Sequence, residues 1–202
     1  MSGVGRARRW VLGALGALGV FACASSARAD PQGTAGLTIG VAGRAYEHRV
    51  WDETAFHLGL RGDVMFARES VHDFGVGPYA ELFTHAFDEL QVGGGVSLLM
   101  PVIDTFPIVA SFGAYGRIGD DDYGFEPGLT GQLFFGTRGY NYSSDYVMSA
   151  GLLLEGRVGL GESGETSLII GAQLDAAFLG LPFVFLIEAL SGGSRETDPV
   201  PR

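Results

Sequence analysis

Residues 56–67 read F-H-L-G-L-R-G-D-V-M-F-A. Phe56, Leu58, Leu60, Gly62, Val64 and Phe66 take every second position, and His57, Gly59, Arg61, Asp63, Met65 and Ala67 fall between them. Side chains of a strand alternate between its two faces, so this stretch has one apolar face and one polar face that carries an acid and a base. Its 12 alternating residues are long for a soluble strand and suit a tilted strand that crosses a bilayer.

The same design recurs on both sides of it. Alternating segments cover 37–46, 56–67, 74–85, 90–102, 108–118, 125–137, 147–160 and 166–178. Gly, Asp, Ser and Asn punctuate the gaps, as turn residues do. No window carries a helical period as convincingly. Pro78, inside the third segment, cannot donate to a ladder, and a bulge or distortion is expected there. The pattern predicts an all-β fold: a single antiparallel up-and-down transmembrane β-barrel of about eight strands.

Residues 1–29 form a separate unit. Arg6, Arg8 and Arg9 precede the apolar run 10–24, and Ala27-Arg28-Ala29 gives an A-x-A cleavage site before Asp30. A cleaved secretory signal peptide is expected, leaving residues 30–190 as the barrel and 191–202 as a disordered polar tail. Val20-Phe21-Ala22-Cys23 loosely resembles a bacterial lipobox, with a bulky Phe21 where a small residue is usual. Cys23 is the sole cysteine, so the mature chain has no disulfide framework.

Charge narrows the function classes. All 13 basic residues are Arg; four lie in the leader, leaving nine against 23 acids and a net charge of −14. Nucleic-acid binding is disfavoured, because phosphate contacts need a basic surface. The distribution matters more than the sum. The polar strand faces carry Arg44, Arg61, Arg117, Arg138 and Arg157 with Asp63, Glu81, Glu126, Glu155 and Asp175, five of each sign. An eight-stranded barrel is just wide enough to be filled by its own side chains, and buried charges need partners. A plugged lumen of paired charges is therefore expected, rather than an open pore.

Other motifs carry less. Gly159-Leu160-Gly161-Glu162-Ser163-Gly164 fits G-x-G-x-x-G, but a strand-like segment follows it where a dinucleotide site needs a helix, so it reads as a hairpin turn. Gly93-Gly94-Gly95 reads as a kink or tight-packing site. Asp120-Asp121-Asp122 with Glu126 reads as a solvated acidic loop; any divalent ion there would bridge to lipopolysaccharide phosphates. No nucleophile stands beside His57 or His85 in sequence, and both read as lumen residues. Neither a catalytic residue, a cofactor nor a metal is expected. Tyr46, Trp51, Phe56, Phe74, Phe106, Phe125 and Tyr146 gather near segment ends, where an interfacial aromatic belt would place them.

The chain resembles the small eight-stranded outer-membrane barrels of Gram-negative bacteria, broadly similar to OmpA-like and OmpX-like barrel domains. The resemblance covers 37 to about 185 as a pattern. Gly180-Leu181-Pro182-Phe183-Val184-Phe185 resembles the terminal G-x-x-aromatic-x-aromatic signal read by the barrel-insertion machinery, with about 17 residues beyond it. Residues 181–190 are expected either to extend the last strand through a bulge or to form a short amphipathic element. The resemblance implies an exported protein of the bacterial outer membrane, with its N-terminus periplasmic. Its partners would be outer-membrane lipids, lipopolysaccharide and, during assembly, the insertion machinery. A non-enzymatic structural or surface role is expected. The alternatives are a narrow pore, a lipid A-modifying barrel enzyme and a soluble periplasmic lipid-binding barrel.

Overall fold

The computed structural model describes residues 31–47, 49, 51–119, 124–138 and 145–191. The expected signal peptide, Cys23, the acidic run Asp120-Asp121-Asp122 and the polar tail beyond residue 191 lie outside the described residues.

Eight strands follow in chain order: β1 (Gln32–Ala45), β2 (Glu53–Met65), β3 (Gly75–His85), β4 (Leu90–Ile103), β5 (Phe106–Ile118), β6 (Glu126–Arg138), β7 (Ser149–Gly159) and β8 (Thr166–Asp175). Each pairs antiparallel with the next, and β8 returns to β1, closing the barrel. The closing seam runs from Gly36 opposite Asp175 to Ala45 opposite Thr166. We call the end where β1 begins and β8 finishes the lower end. The upper end carries the connections 46–52, 86–89, 119–125 and 160–165.

Strand parity sorts the side chains. Val41, Leu60, Leu82, Val96, Phe112, Leu133, Leu154 and Ile170, one from each strand, point outward and are 42–69% exposed. Nothing among the described residues covers this apolar wall. The alternate residues point into the lumen and are buried.

Local sequence explains the irregularities. Between β2 and β3 the ladder runs from His57–His85 to Asp63–Tyr79, breaks at Val64 opposite Pro78, and resumes at the bridge Phe66–Val76 in the same register. Of the bulge or distortion expected at Pro78, the ladder shows the distortion: it is interrupted with the register kept, because a missing donor removes a bond without adding a residue. Gly93 and Gly95 in β4 and Gly113 in β5 leave room in the lumen. A Cβ on Gly93 would meet Glu81 Oε1 at 2.9 Å and Tyr115 Cβ at 3.2 Å, and one on Gly113 would strike the Tyr79 hydroxyl.

Beyond the barrel lies one helix, α1 (Ala177–Ser191). The Asp175 carboxylate accepts the Ala177 N–H at 2.8 Å and so caps its first turn. This corrects two expectations. Residues 181–190 neither extend the last strand nor form an amphipathic element: the segment is helical and, apart from Glu188, apolar, with no distinct polar face. The barrel therefore ends at Asp175 rather than near residue 190, and the G-L-P-F-V-F run sits in α1 instead of a strand. Its described side chains are all exposed. No helix among the described residues is long and apolar enough to cross a membrane.

Candidate functional site

The lumen is where the chain concentrates its chemistry. The ten charged residues that the sequence pattern sends inward are all buried, each with 8% exposure or less; Glu53, at the upper end of β2 on the same parity, is exposed. They fall into three tiers.

The lower tier is partly apolar. Met65, Leu99, Val109, Phe134 and Leu153 form one buried cluster across five strands. Beside it, Arg138 clamps Asp63 with two hydrogen bonds of 3.0 and 2.9 Å, a bidentate geometry that only a guanidinium provides. Thr34 Oγ1 also donates to Asp63, at 2.9 Å. The gap lined by Gln32, Thr34, Met65, Arg68, Arg138 and Val147 has no room for a water molecule. Asp175 differs from the other nine charges: it accepts from the Tyr146 hydroxyl at 2.8 Å and from the backbone N–H groups of Ser149 and Ala177 at 3.0 and 2.8 Å.

In the middle tier two arginines share one glutamate. Arg61 donates to Glu81 Oε2 at 3.2 Å, and Arg157 to Glu81 Oε1 at 2.7 Å. Arg61 also reaches the hydroxyls of Ser97 and Ser111 and lies 3.9 Å above the Tyr79 ring. Arg157 stacks 3.5 Å from the Phe83 ring centroid, donates to Gln91 Oε1 at 3.2 Å and pairs with Glu155 at 2.5 Å. Thr130 and Gln132 donate to the Glu155 carboxylate at 2.7 and 3.3 Å.

The upper tier closes under the turns. Arg117 donates to Glu89, Glu126, Glu165 and Ser163. Arg44 reaches Glu89 at 3.3 Å and Glu165 at 3.5 Å. The turn between β7 and β8 folds inward, and the Ser163 N–H and hydroxyl both donate to Glu126, at 2.8 and 2.5 Å. This is the turn read from the G-x-G-x-x-G match; its job here is to lid a carboxylate rather than a phosphate. Burial pushes the Glu89 carboxyl upward, but the His85 hydrogen bond and the Arg44 charge outweigh it and hold the group below its ordinary value.

Sequence reasoning missed Glu89, Glu165 and Ser163, which enter from turns where the two-residue period no longer applies. It also missed the apolar cluster. Its signal was present: Met65, Leu99, Val109, Phe134 and Leu153 are large apolar residues at the polar parity, all near the lower end.

Could this site run a reaction? Nucleophilic catalysis needs a nucleophile, a base and a group that orients the base, in one chain of contacts. Here the parts are divided. His57 Nε2 contacts the Thr38 hydroxyl at 3.3 Å, but no acid holds its other nitrogen. His85 has an acid, Glu89, at 2.9 Å, but no hydroxyl lies on its Nε2. The arrangement is suited to holding strands together through paired charges. Neither known family models nor curated proteins match this chain.

Proposed function

We propose that the chain is an exported outer-membrane β-barrel of the small eight-stranded kind, with a closed, charge-paired lumen and a structural or surface role without catalysis. One observation carries this reading: the two faces of the wall are inverted relative to a soluble protein. Ten charged strand residues are buried in the lumen, nine of them in ion pairs, while an apolar surface faces out. A surface of that kind needs a bilayer, and a closed antiparallel sheet satisfies its own backbone without water. A soluble lipid-binding barrel needs the reverse, an apolar interior. Exposed Trp51, Phe56, Phe74, Phe106 and Phe125 lie at strand ends, where aromatic girdles form. The filled lumen and the tight gap in its lower tier favour a closed barrel over a narrow pore, and the divided histidine contacts favour a non-catalytic role over lipid A modification.

The test is fractionation of expressing cells, followed by electrophoresis of the membrane fraction in SDS with and without boiling. A band in the outer membrane that shifts on boiling is the expected result. A soluble band with no shift would refute the reading. For a membrane-bound protein, steady single-channel conductance in a planar bilayer would replace the closed lumen with a pore. Altered lipid A on overexpression, lost in His57→Ala or His85→Ala, would replace the structural role with an enzymatic one.

A further inference from the structure

His57 and His85 face each other directly across the β2–β3 ladder. Their ring centroids are 5.3 Å apart, and their exposures are 1% and 0%. Each ring is held by one nitrogen only. His85 presents Nδ1 to a Glu89 carboxylate oxygen at 2.9 Å. A carboxylate only accepts, so Nδ1 carries the proton and Nε2 keeps its lone pair. His57 presents Nε2 to the Thr38 hydroxyl at 3.3 Å. The remaining nitrogens, His57 Nδ1 and His85 Nε2, have no hydrogen-bond partner. A buried N–H without an acceptor is rare, which assigns the lone pair of His57 to Nδ1 as well.

Two buried imidazole nitrogens, on directly opposed residues whose rings are neighbours, are thus left without a partner. Neutral imidazole is the commonest protein ligand for transition metals. Ligating histidines are typically fixed by a second partner on the other nitrogen, often a carboxylate, as Glu89 fixes His85. A second grouping, His85 with Glu89 and Glu165, has ligand atoms within 4.8 Å of one another, but Arg44 and Arg117 already occupy its carboxylates. No such competitor holds the two free nitrogens.

We infer that His57 Nδ1 and His85 Nε2 bind one borderline transition-metal ion, Cu²⁺ more tightly than Zn²⁺, with water completing its coordination. Mg²⁺ and Ca²⁺ are rejected, because they take oxygen ligands.

The test uses chain carrying His48→Gln and His72→Gln, since exposed His72 beside Asp104 is a surface competitor. Refolding from urea into detergent with Cu²⁺ or Zn²⁺ present removes any need for the ion to cross the closed lumen. Folding is checked by circular dichroism, which keeps failure here separate from failure of the membrane assignment. The expected result is about one ion per folded chain after gel filtration, and none with Mg²⁺ or Ca²⁺. His57→Gln and His85→Gln should each weaken binding about tenfold or more. If either variant fails to fold, the imidazole ¹⁵N resonances of the parent decide: Zn²⁺ should move one nitrogen of each of the two rings. Substoichiometric metal on folded parent, binding unchanged in both variants, or unmoved resonances would each overturn the inference.

Discussion

Replacing Arg157 with Met tests whether the lumen network stabilises the barrel. Arg157 is 2% exposed and makes close contacts with Glu81, Glu155, Gln91 and the Phe83 ring. Met keeps much of the stem volume and the contact with Phe83, but leaves Glu155 with only the neutral donors Thr130 and Gln132. Glu81 keeps Arg61 alone. Removing one partner of a buried ion pair typically costs about 3–5 kcal/mol, roughly a 150- to 5,000-fold drop in the folding constant. The assay is urea unfolding of the barrel in lipid vesicles, followed by tryptophan fluorescence. Adding Glu155→Gln removes the stranded charge, and the double variant should recover ~0.5–3 kcal/mol as coupling. A loss below ~1 kcal/mol in Arg157→Met, or no coupling with Glu155, would show that water solvates these groups and that the pairs do not hold the barrel.

Three further outcomes follow from the same structure. Phe134→Ala should cost about 3–5 kcal/mol in the same titration, and should open brief conductance events in a planar bilayer where the parent gives none, because it empties the lower tier. Glu89 is held below its ordinary value of 4.5. Its stabilisation is therefore fully present above pH 4.5 and fades as pH falls through the lower folded value. Glu89→Gln should flatten stability against pH in that acidic window, measured by unfolding midpoints from pH 6 downward. Truncation after Ala177, which keeps the N–H bonded to Asp175, should leave the unfolding midpoint of the refolded barrel unchanged, since the described side chains of α1 are exposed; a lower midpoint would show that α1 packs on the wall.

How much of this could be read from the chain depends on where a residue sits. Within strands the alternation is a strict constraint, because a shift of one residue reverses every side chain. That is why Arg61 and Asp63 could be sent inward and Leu60 outward from the letters alone. The start of β1 was less legible. Gln32 to Gly36 offers Thr, Ala and Gly, whose contrast between faces is too weak to mark a strand. In turns the constraint lapses: Glu89 and Glu165 look like solvated loop acids until closure of the barrel folds them over Arg44 and Arg117. Helix α1 was hidden for the opposite reason. A run that is apolar but for Glu188 has no period to read, and Pro182 within it is a residue that helix interiors normally exclude. The His57–His85 pairing depends on the register between β2 and β3, which neither segment specifies by itself.

The seam between β1 and β8 joins residues that are 121 to 139 positions apart in the chain. No earlier pairing can stand in for it. Until the last strand is in place, any sheet made by the earlier ones is open and leaves two unpaired edges. At about 5–20 residues per second, the stretch from Gln32 to Asp175 takes roughly 7–30 s to synthesise, and through that interval the chain cannot close. Its vulnerability to aggregation is thus a matter of timing as much as of composition. The last ten residues of the barrel, Thr166–Asp175, decide when it ends.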